Sequence, residues 1–150
     1  MLRVRSATDS LAFYQDVMGM ELLRTIENEN SSFNIYFLAY TAKKTIPDPS
    51  PDGVIPLADQ EGLLELTWNY GTEDANFSYH NGNDQPQGFG HICVTVDDLD
   101  KACARFDEKG VKWKKRLTEG KMKNLAFLLD PDGYWIELYQ NETLEGRGRQ

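Results

Sequence analysis

Glu65 and Glu137 each stand in the middle of an apolar, strand-like stretch, LLELTWN and YWIELY. Side chains alternate across a strand, so Leu64, Leu66 and Trp68 share one face of the first stretch, while Leu63, Glu65, Thr67 and Asn69 share the other. In the second stretch Ile136 and Leu138 oppose Trp135, Glu137 and Tyr139. A carboxylate on such a surface is costly to bury unless a cation, a metal or a hydrogen-bond donor meets it. His91 opens a further strand-like run, HICVTV, with Cys93 and Thr95 on its face. Two carboxylates and an imidazole carried on strands form a donor set for a catalytic metal that keeps positions open to water. Taken singly, a glutamate in mid-strand is more often an exposed residue on an open sheet face. The equivalent placement of two of them is what raises the metal reading. His80 reads as a loop histidine without chemistry.

The second concentration of chemistry is cationic. Lys112, Lys114, Lys115, Arg116, Lys121 and Lys123 gather on and after one strand of an otherwise acidic chain. Lysines commonly guard a solvated edge strand against pairing with another chain. The same cluster would also serve as the mouth for a small anionic ligand, with Arg3 joining it from a short strand. Met122, Leu125 and Phe127 lie beside the cluster and fit either an apolar pocket or ordinary core.

The elements that position these residues read twice along the chain. Leu2-Arg3-Val4 is a short strand. A helix capped by Asp9 or Ser10 is predicted over Leu11 to Val17, stopped by Gly19. Strands follow over Met20 to Glu27, Ser32 to Tyr40 and Leu63 to Asn69. Between the last two lies a Pro- and Gly-rich excursion from Thr41 to Gly62. After a polar loop from Gly71 to Gly90 the order restarts. His91 to Val96 is a strand, and Asp98 to Lys109 is a helix capped by Asp97 or Asp98 and ended by Gly110. Val111 to Lys115 is a strand, and Leu125 to Tyr139 is a hairpin turning at Asp130-Pro131-Asp132-Gly133. Gly19 matches Gly110, Phe37 matches Phe127 and Glu65 matches Glu137. The expected fold is therefore α+β, two repeated βαβββ modules over residues 1–75 and 88–140, with a connecting loop 76–87 and a tail 141–150. The counterpart of His91 in the first module falls just ahead of Met1.

Composition narrows the partners. Sixteen basic against 24 acidic residues leave a net charge of −8, which argues against nucleic acid or an anionic membrane as the main partner. No apolar run approaches the ~20 residues of a membrane helix, and the first residues lack the apolar core of a signal peptide. Cys93 and Cys103 have neither CxxC spacing nor disulfide density, so reduced thiols in a cytoplasmic protein are expected.

The runs LRV…SLAFYQDVMGMELL, FNIYFLAY, LELTWNYGTE, YHNGN, GFGHICV and GKMKNLAFLLDPDGYWIEL cover most of the chain in order. Together they resemble the glyoxalase I (lactoylglutathione lyase) family of the vicinal oxygen chelate superfamily. The long excursion after Thr41 and the YHNGN…PQGFGHIC run are similar to its zinc-dependent eukaryotic, fungal-like type. The resemblance implies that Glu65, His91 and Glu137 are three of four ligands to a Zn²⁺ ion, one per site, with other divalent metals as substitutes. It implies that Glu137 is the base moving a proton between two carbons of the methylglyoxal–glutathione hemithioacetal, with Glu65 the acid–base group on the opposite face. Arg3 and Asn69 match residues at the glutamyl end of glutathione, and Lys115 and Lys121 match those near its glycyl carboxylate. Met122, Leu125 and Phe127 match the pocket around the substrate's methyl end. The family's remaining ligand, a glutamine, aligns ahead of Met1, which predicts a clipped chain or an internal start. Gln87 stands where many members have a glutathione-pairing arginine, and Trp68 where relatives usually have histidine. The resemblance further implies a homodimer in which Glu65 of one chain meets His91 and Glu137 of the other. The alternatives are one half of a tandem enzyme, a module of the same fold that binds without turnover, or a dioxygenase or other superfamily chemistry on an iron centre, against which the cations Arg3, Lys115 and Lys121 argue.

Overall fold

Strand pairing follows the hydrophobic alternation of the sequence. The computed structural model describes residues 1–41, 57, 60–74 and 76–140, in two compact units, Met1–Tyr79 and His80–Gln150. The excursion from Thr41 to Gly62 falls largely outside the described residues, as do positions 141–150.

The first unit holds β1 (Leu2–Val4), α1 (Ala7–Ala12), β2 (Glu21–Asn28), β3 (Phe33–Ala39) and β4 (Leu64–Asn69). Its sheet has the order β1-β4-β3-β2, with β1 parallel to β4 and the other pairs antiparallel. The second unit holds β5 (His91–Val96), α2 (Leu99–Glu108), β6 (Lys112–Lys115), β7 (Leu125–Leu129) and β8 (Trp135–Gln140). Its sheet order, β5-β8-β7-β6, repeats the first, again with one parallel pair at the first strand. The repeated βαβββ order is therefore present in both halves. The anchors also fall into register: Phe37 pairs with Glu65 in one sheet and Phe127 with Glu137 in the other.

In the second unit Ala126, Leu128, Ile136 and Leu138 are buried with Leu99 and Phe106 of α2, which packs on β8. His91, Cys93, Thr95, Trp135, Glu137 and Phe127 alternate with these and keep partial or full exposure. In the first unit Leu2, Val4, Leu64, Leu66, Tyr36 and Leu38 are buried, while Arg3, Glu65 and Phe37 alternate with them.

Each sheet carries a β-bulge in its last-ordered strand, between Leu22 and Arg24 in β2 and between Trp113 and Lys115 in β6. A bulge opposes two residues to one and re-aims side chains. Arg24 thus comes opposite Phe37, and Lys115 opposite Phe127. Period-two reading of the sequence carries no trace of this shift.

The first helix differs from expectation. It begins at Ala7, capped by Ser6, whose hydroxyl accepts the Asp9 N–H at 3.2 Å. Ser10 points inward and is fully buried, so it is not free to cap. The chain continues as a π-helical turn over Phe13–Val17 and stops at Gly19, where φ is +81°. In the second unit Asp98 caps α2 as expected, accepting the Lys101 N–H at 3.0 Å, and Gly110 follows at φ +69°.

A candidate metal and acid–base site

Two of the three expected ligands meet on the second sheet. β5 and β8 run parallel with His91 opposite Trp135 and Cys93 opposite Glu137. This register brings His91 Nε2 to 2.9 Å from Glu137 Oε2. The Glu137 side chain retains 17% of its exposure and that of His91 40%, so the pair is held by the fold yet reachable from solvent. Phe127 stands edge-on to the imidazole at 5.3 Å and to Trp135 at 5.6 Å. Lys114 Nζ lies 4.7 Å from the centre of the Trp135 ring, a cation–π contact at the end of the same row. Partial desolvation pushes the Cys93 thiol above its ordinary pKa, and the neighbouring Glu137 carboxylate raises it further by charge and by accepting its proton in a hydrogen bond. Neither Cys93 nor Cys103 is in a disulfide.

An imidazole nitrogen beside a carboxylate oxygen is a donor pair that suits zinc and other first-row divalent ions, and its open side leaves room for water or substrate. The residues present fit such an ion in part. Among the described residues no three His, Cys, Asp or Glu side chains gather into one cluster.

Glu65 lies on the first sheet, half-buried, on the face that also carries Arg3 and Asn69. Arg3 donates from its guanidinium to Asn69 Oδ1 at 2.5 Å, so the structure joins the two residues matched to the glutamyl end of glutathione. Thr67, opposite Arg3 across the parallel pair, is buried on this face. Trp68 is half-buried and stacks at a tilt on Tyr70, 4.8 Å between ring centres.

The cationic residues divide. Lys115 donates to the carbonyls of Met122 at 2.6 Å and Leu125 at 2.8 Å, and so braces the loop between β6 and β7. Lys123 donates to the Thr118 carbonyl at 2.7 Å within that loop. Lys121 and Met122 are exposed there, while Leu125 and Phe127 are half-buried on β7. Gln87 is exposed in the loop that precedes β5.

Sequence reasoning passed over the polar loop ahead of β5 as a structural element. His80 Nδ1 accepts the Gly82 N–H at 3.0 Å, which agrees with a loop histidine. Asn81 donates to the Gly133 carbonyl at 3.0 Å and Asn83 to the Gly90 carbonyl at 2.7 Å. The signal was the Asn-Gly-Asn triplet, since a side-chain amide both donates and accepts.

The profile of the Glyoxalase/Bleomycin resistance protein/Dioxygenase superfamily matches residues 1–138. The chain is 49% identical to glyoxalase I of Saccharomyces cerevisiae over 142 residues, covering 92% of this chain and 41% of the yeast protein. It is 48% identical to the lactoylglutathione lyase of Pseudomonas aeruginosa over 149 residues, covering 99% of this chain and 84% of that one. The chain thus spans about two-fifths of the yeast relative and most of the bacterial one. Among solved structures, the trypanothione-dependent glyoxalase I of Leishmania major superposes with a TM-score of 0.70 at 28% identity, covering 97% of this chain and 87% of that one.

Proposed function

The chain belongs to the Glyoxalase/Bleomycin resistance protein/Dioxygenase superfamily, and we propose that it is a lactoylglutathione lyase, isomerising the hemithioacetal of methylglyoxal and glutathione to S-lactoylglutathione. The observation that carries this reading is the 2.9 Å pair of His91 Nε2 and Glu137 Oε2 on a solvent-reachable sheet face. Glu65, His91 and Glu137 would hold one divalent ion, Zn²⁺ in the first instance. When bound, the ion supplies Lewis-acid stabilisation of the negative charge that develops on the substrate oxygens. Glu137 takes the proton from the hydroxyl-bearing carbon and returns it to the neighbouring carbonyl carbon, the hydroxyl proton passes from the first substrate oxygen to the second, and Glu65 serves as the acid–base group on the opposite face of the substrate. The Glu137 carboxylate is suited to this task because it is a basic oxygen held in place by the fold, beside His91 and within reach of solvent.

Arg3 and Asn69 orient the glutamyl end of glutathione, supported by the hydrogen bond that already joins them. Gln87 supplies a neutral contact to the tripeptide, and Lys121 the charge for its glycyl carboxylate. Lys115 joins Lys121 by exchanging a backbone carbonyl for the carboxylate. Met122, Leu125 and Phe127 line the apolar end. The protein works in the cytoplasm as a homodimer, in which Glu65 of one chain and His91 with Glu137 of the other complete each site. Residues 1–75 form the first module and 88–140 the second, joined by 76–87 and followed by a tail over 141–150.

Zn²⁺-loaded protein is expected to raise thioester absorbance when mixed with methylglyoxal and glutathione. No turnover with Zn²⁺, Ni²⁺, Co²⁺ or Mg²⁺ would overturn the reading. The 41% span of the yeast relative favours a second reading, one half of a tandem enzyme. In that case the chain by itself stays monomeric and inactive. A module of this fold that binds without turnover would instead keep ligand affinity when Glu137 is replaced by Gln.

A further inference from the structure

We infer that Asn81 and Asn83 are positioning residues that hold the starts of β5 and β8 together and thereby set the His91–Glu137 pair, an inference that rests on the metal-dependent reading above. The two ligating side chains come from different strands, so their separation depends on how those strands enter the sheet. Neither approach to the sheet is intrinsically rigid. Gly88 and Gly90 flank Phe89 just before His91, and Gly133 lies just before Tyr134 and Trp135. Glycine leaves the backbone unusually free, so something else must fix these approaches.

One short loop fixes both. Asn83 Nδ2 donates to the carbonyl of Gly90, immediately before His91, at 2.7 Å. Asn81 Nδ2 donates to the carbonyl of Gly133, ahead of β8, at 3.0 Å. The two asparagines are themselves coupled, because the Asn83 N–H donates to Asn81 Oδ1 at 2.9 Å. Gly82 between them closes the loop: its carbonyl accepts the Gly88 N–H at 2.9 Å. Its φ is +85°, and a Cβ there would stand 2.0 Å from the Phe89 carbonyl oxygen, so only glycine fits. Phe89 and Tyr134 then meet edge to face at 6.0 Å, joining the same two approaches a second time. Ligand geometry is set as much by such outer contacts as by the ligands themselves.

Aspartate tests the donors in isolation. Asn81→Asp keeps the oxygen that accepts the Asn83 N–H and replaces the bond to Gly133 by a repulsion between carboxylate and carbonyl oxygens. Asn83→Asp is isosteric and loses the bond to Gly90. Either change adds negative charge, which by itself attracts a cation, so weaker metal binding cannot come from the added charge. Co²⁺ and Zn²⁺ dissociation constants of parent and variants are measured by chelator competition at a temperature far below unfolding. Urea midpoints are taken alongside, and kcat and KM for the hemithioacetal follow. Both variants are expected to bind the ion about 10- to 100-fold more weakly. The loss of rate should fall on kcat, with KM within about twofold, because neither asparagine is assigned to glutathione. Metal affinity and kcat within about twofold of the parent would overturn the inference, even if the urea midpoint falls. A parent that binds the ion tightly but never turns over would sink the lyase reading instead, and the affinity comparison would still decide for or against the asparagines.

Discussion

Glu137 has two demands on one carboxylate: it faces His91 at 2.9 Å, and in the proposed reaction it carries a proton between carbons. Replacing Glu137 by Gln preserves shape and a hydrogen-bond acceptor for His91, yet removes the basic oxygen. We expect kcat to fall about 10²- to 10⁴-fold with an unchanged far-ultraviolet spectrum, as measured by the thioester assay and circular dichroism. A loss of less than tenfold would transfer the proton role elsewhere. Phe127 gives a contrasting case, because its ring holds the imidazole and Trp135 edge-on. Phe127→Ala should cost about 1–3 kcal/mol of stability in urea unfolding, since it removes a half-buried ring along with those contacts. At this scale part of the candidate site, the adjacent His91 and Glu137, was legible in the amino-acid sequence. A carboxylate in YWIELY, on the face opposite Ile136 and Leu138, could be singled out from alternation alone. Asn81 and Asn83 could not, because their targets are backbone carbonyls of Gly133 and Gly90, and only the folded chain brings those within reach.

The helix α2 shows how an element reports on its own ends. Asp98 is held below the ordinary aspartate value of 3.8, first by the Lys101 backbone N–H and then by the Lys101 ammonium 3.0 Å away. A depressed folded-state pKa means stability that is present above the unfolded value and lost as pH falls through the folded one. Asn caps nearly as well but does not titrate. The melting temperature of the parent should therefore exceed that of Asp98→Asn near pH 6, and the difference should shrink as pH drops below about 4. A constant difference down to pH 2.5 would mean that charge at the cap is irrelevant. Asp107 adds to the same acid sensitivity, since Arg116 and then Trp113 Nε1 donate to it and hold its carboxyl low. The cap of α2 was legible to within one residue, Asp97 or Asp98, because both precede an apolar-periodic run, and the structure settles it at Asp98. The cap of α1 was not, because Ser6, Asp9 and Ser10 all offer capping chemistry and only the folded chain shows Ser6 accepting the Asp9 N–H. The bulges before Arg24 and Lys115 were hidden for a related reason: a register shift is a property of two paired strands, not of either sequence.

For the molecule as a whole the question is how many chains make one site. Glu65 belongs to the first unit, and His91 with Glu137 to the second. If each site takes Glu65 from one chain and the His91–Glu137 pair from its partner, two inactive proteins should complement each other. Glu65→Gln and Glu137→Gln homodimers each carry two damaged sites. Mixed dimers carry one site with both changes and one with neither. Random exchange at equal concentrations makes half of the dimers mixed, so activity should recover to about a quarter of the parent's. Recovery should follow the rate of subunit exchange and rise when mild urea loosens the dimers. If one chain supplied the whole site, mixing would restore nothing at any exchange rate, and the shared-site arrangement would have to be abandoned while each glutamate kept its separate role.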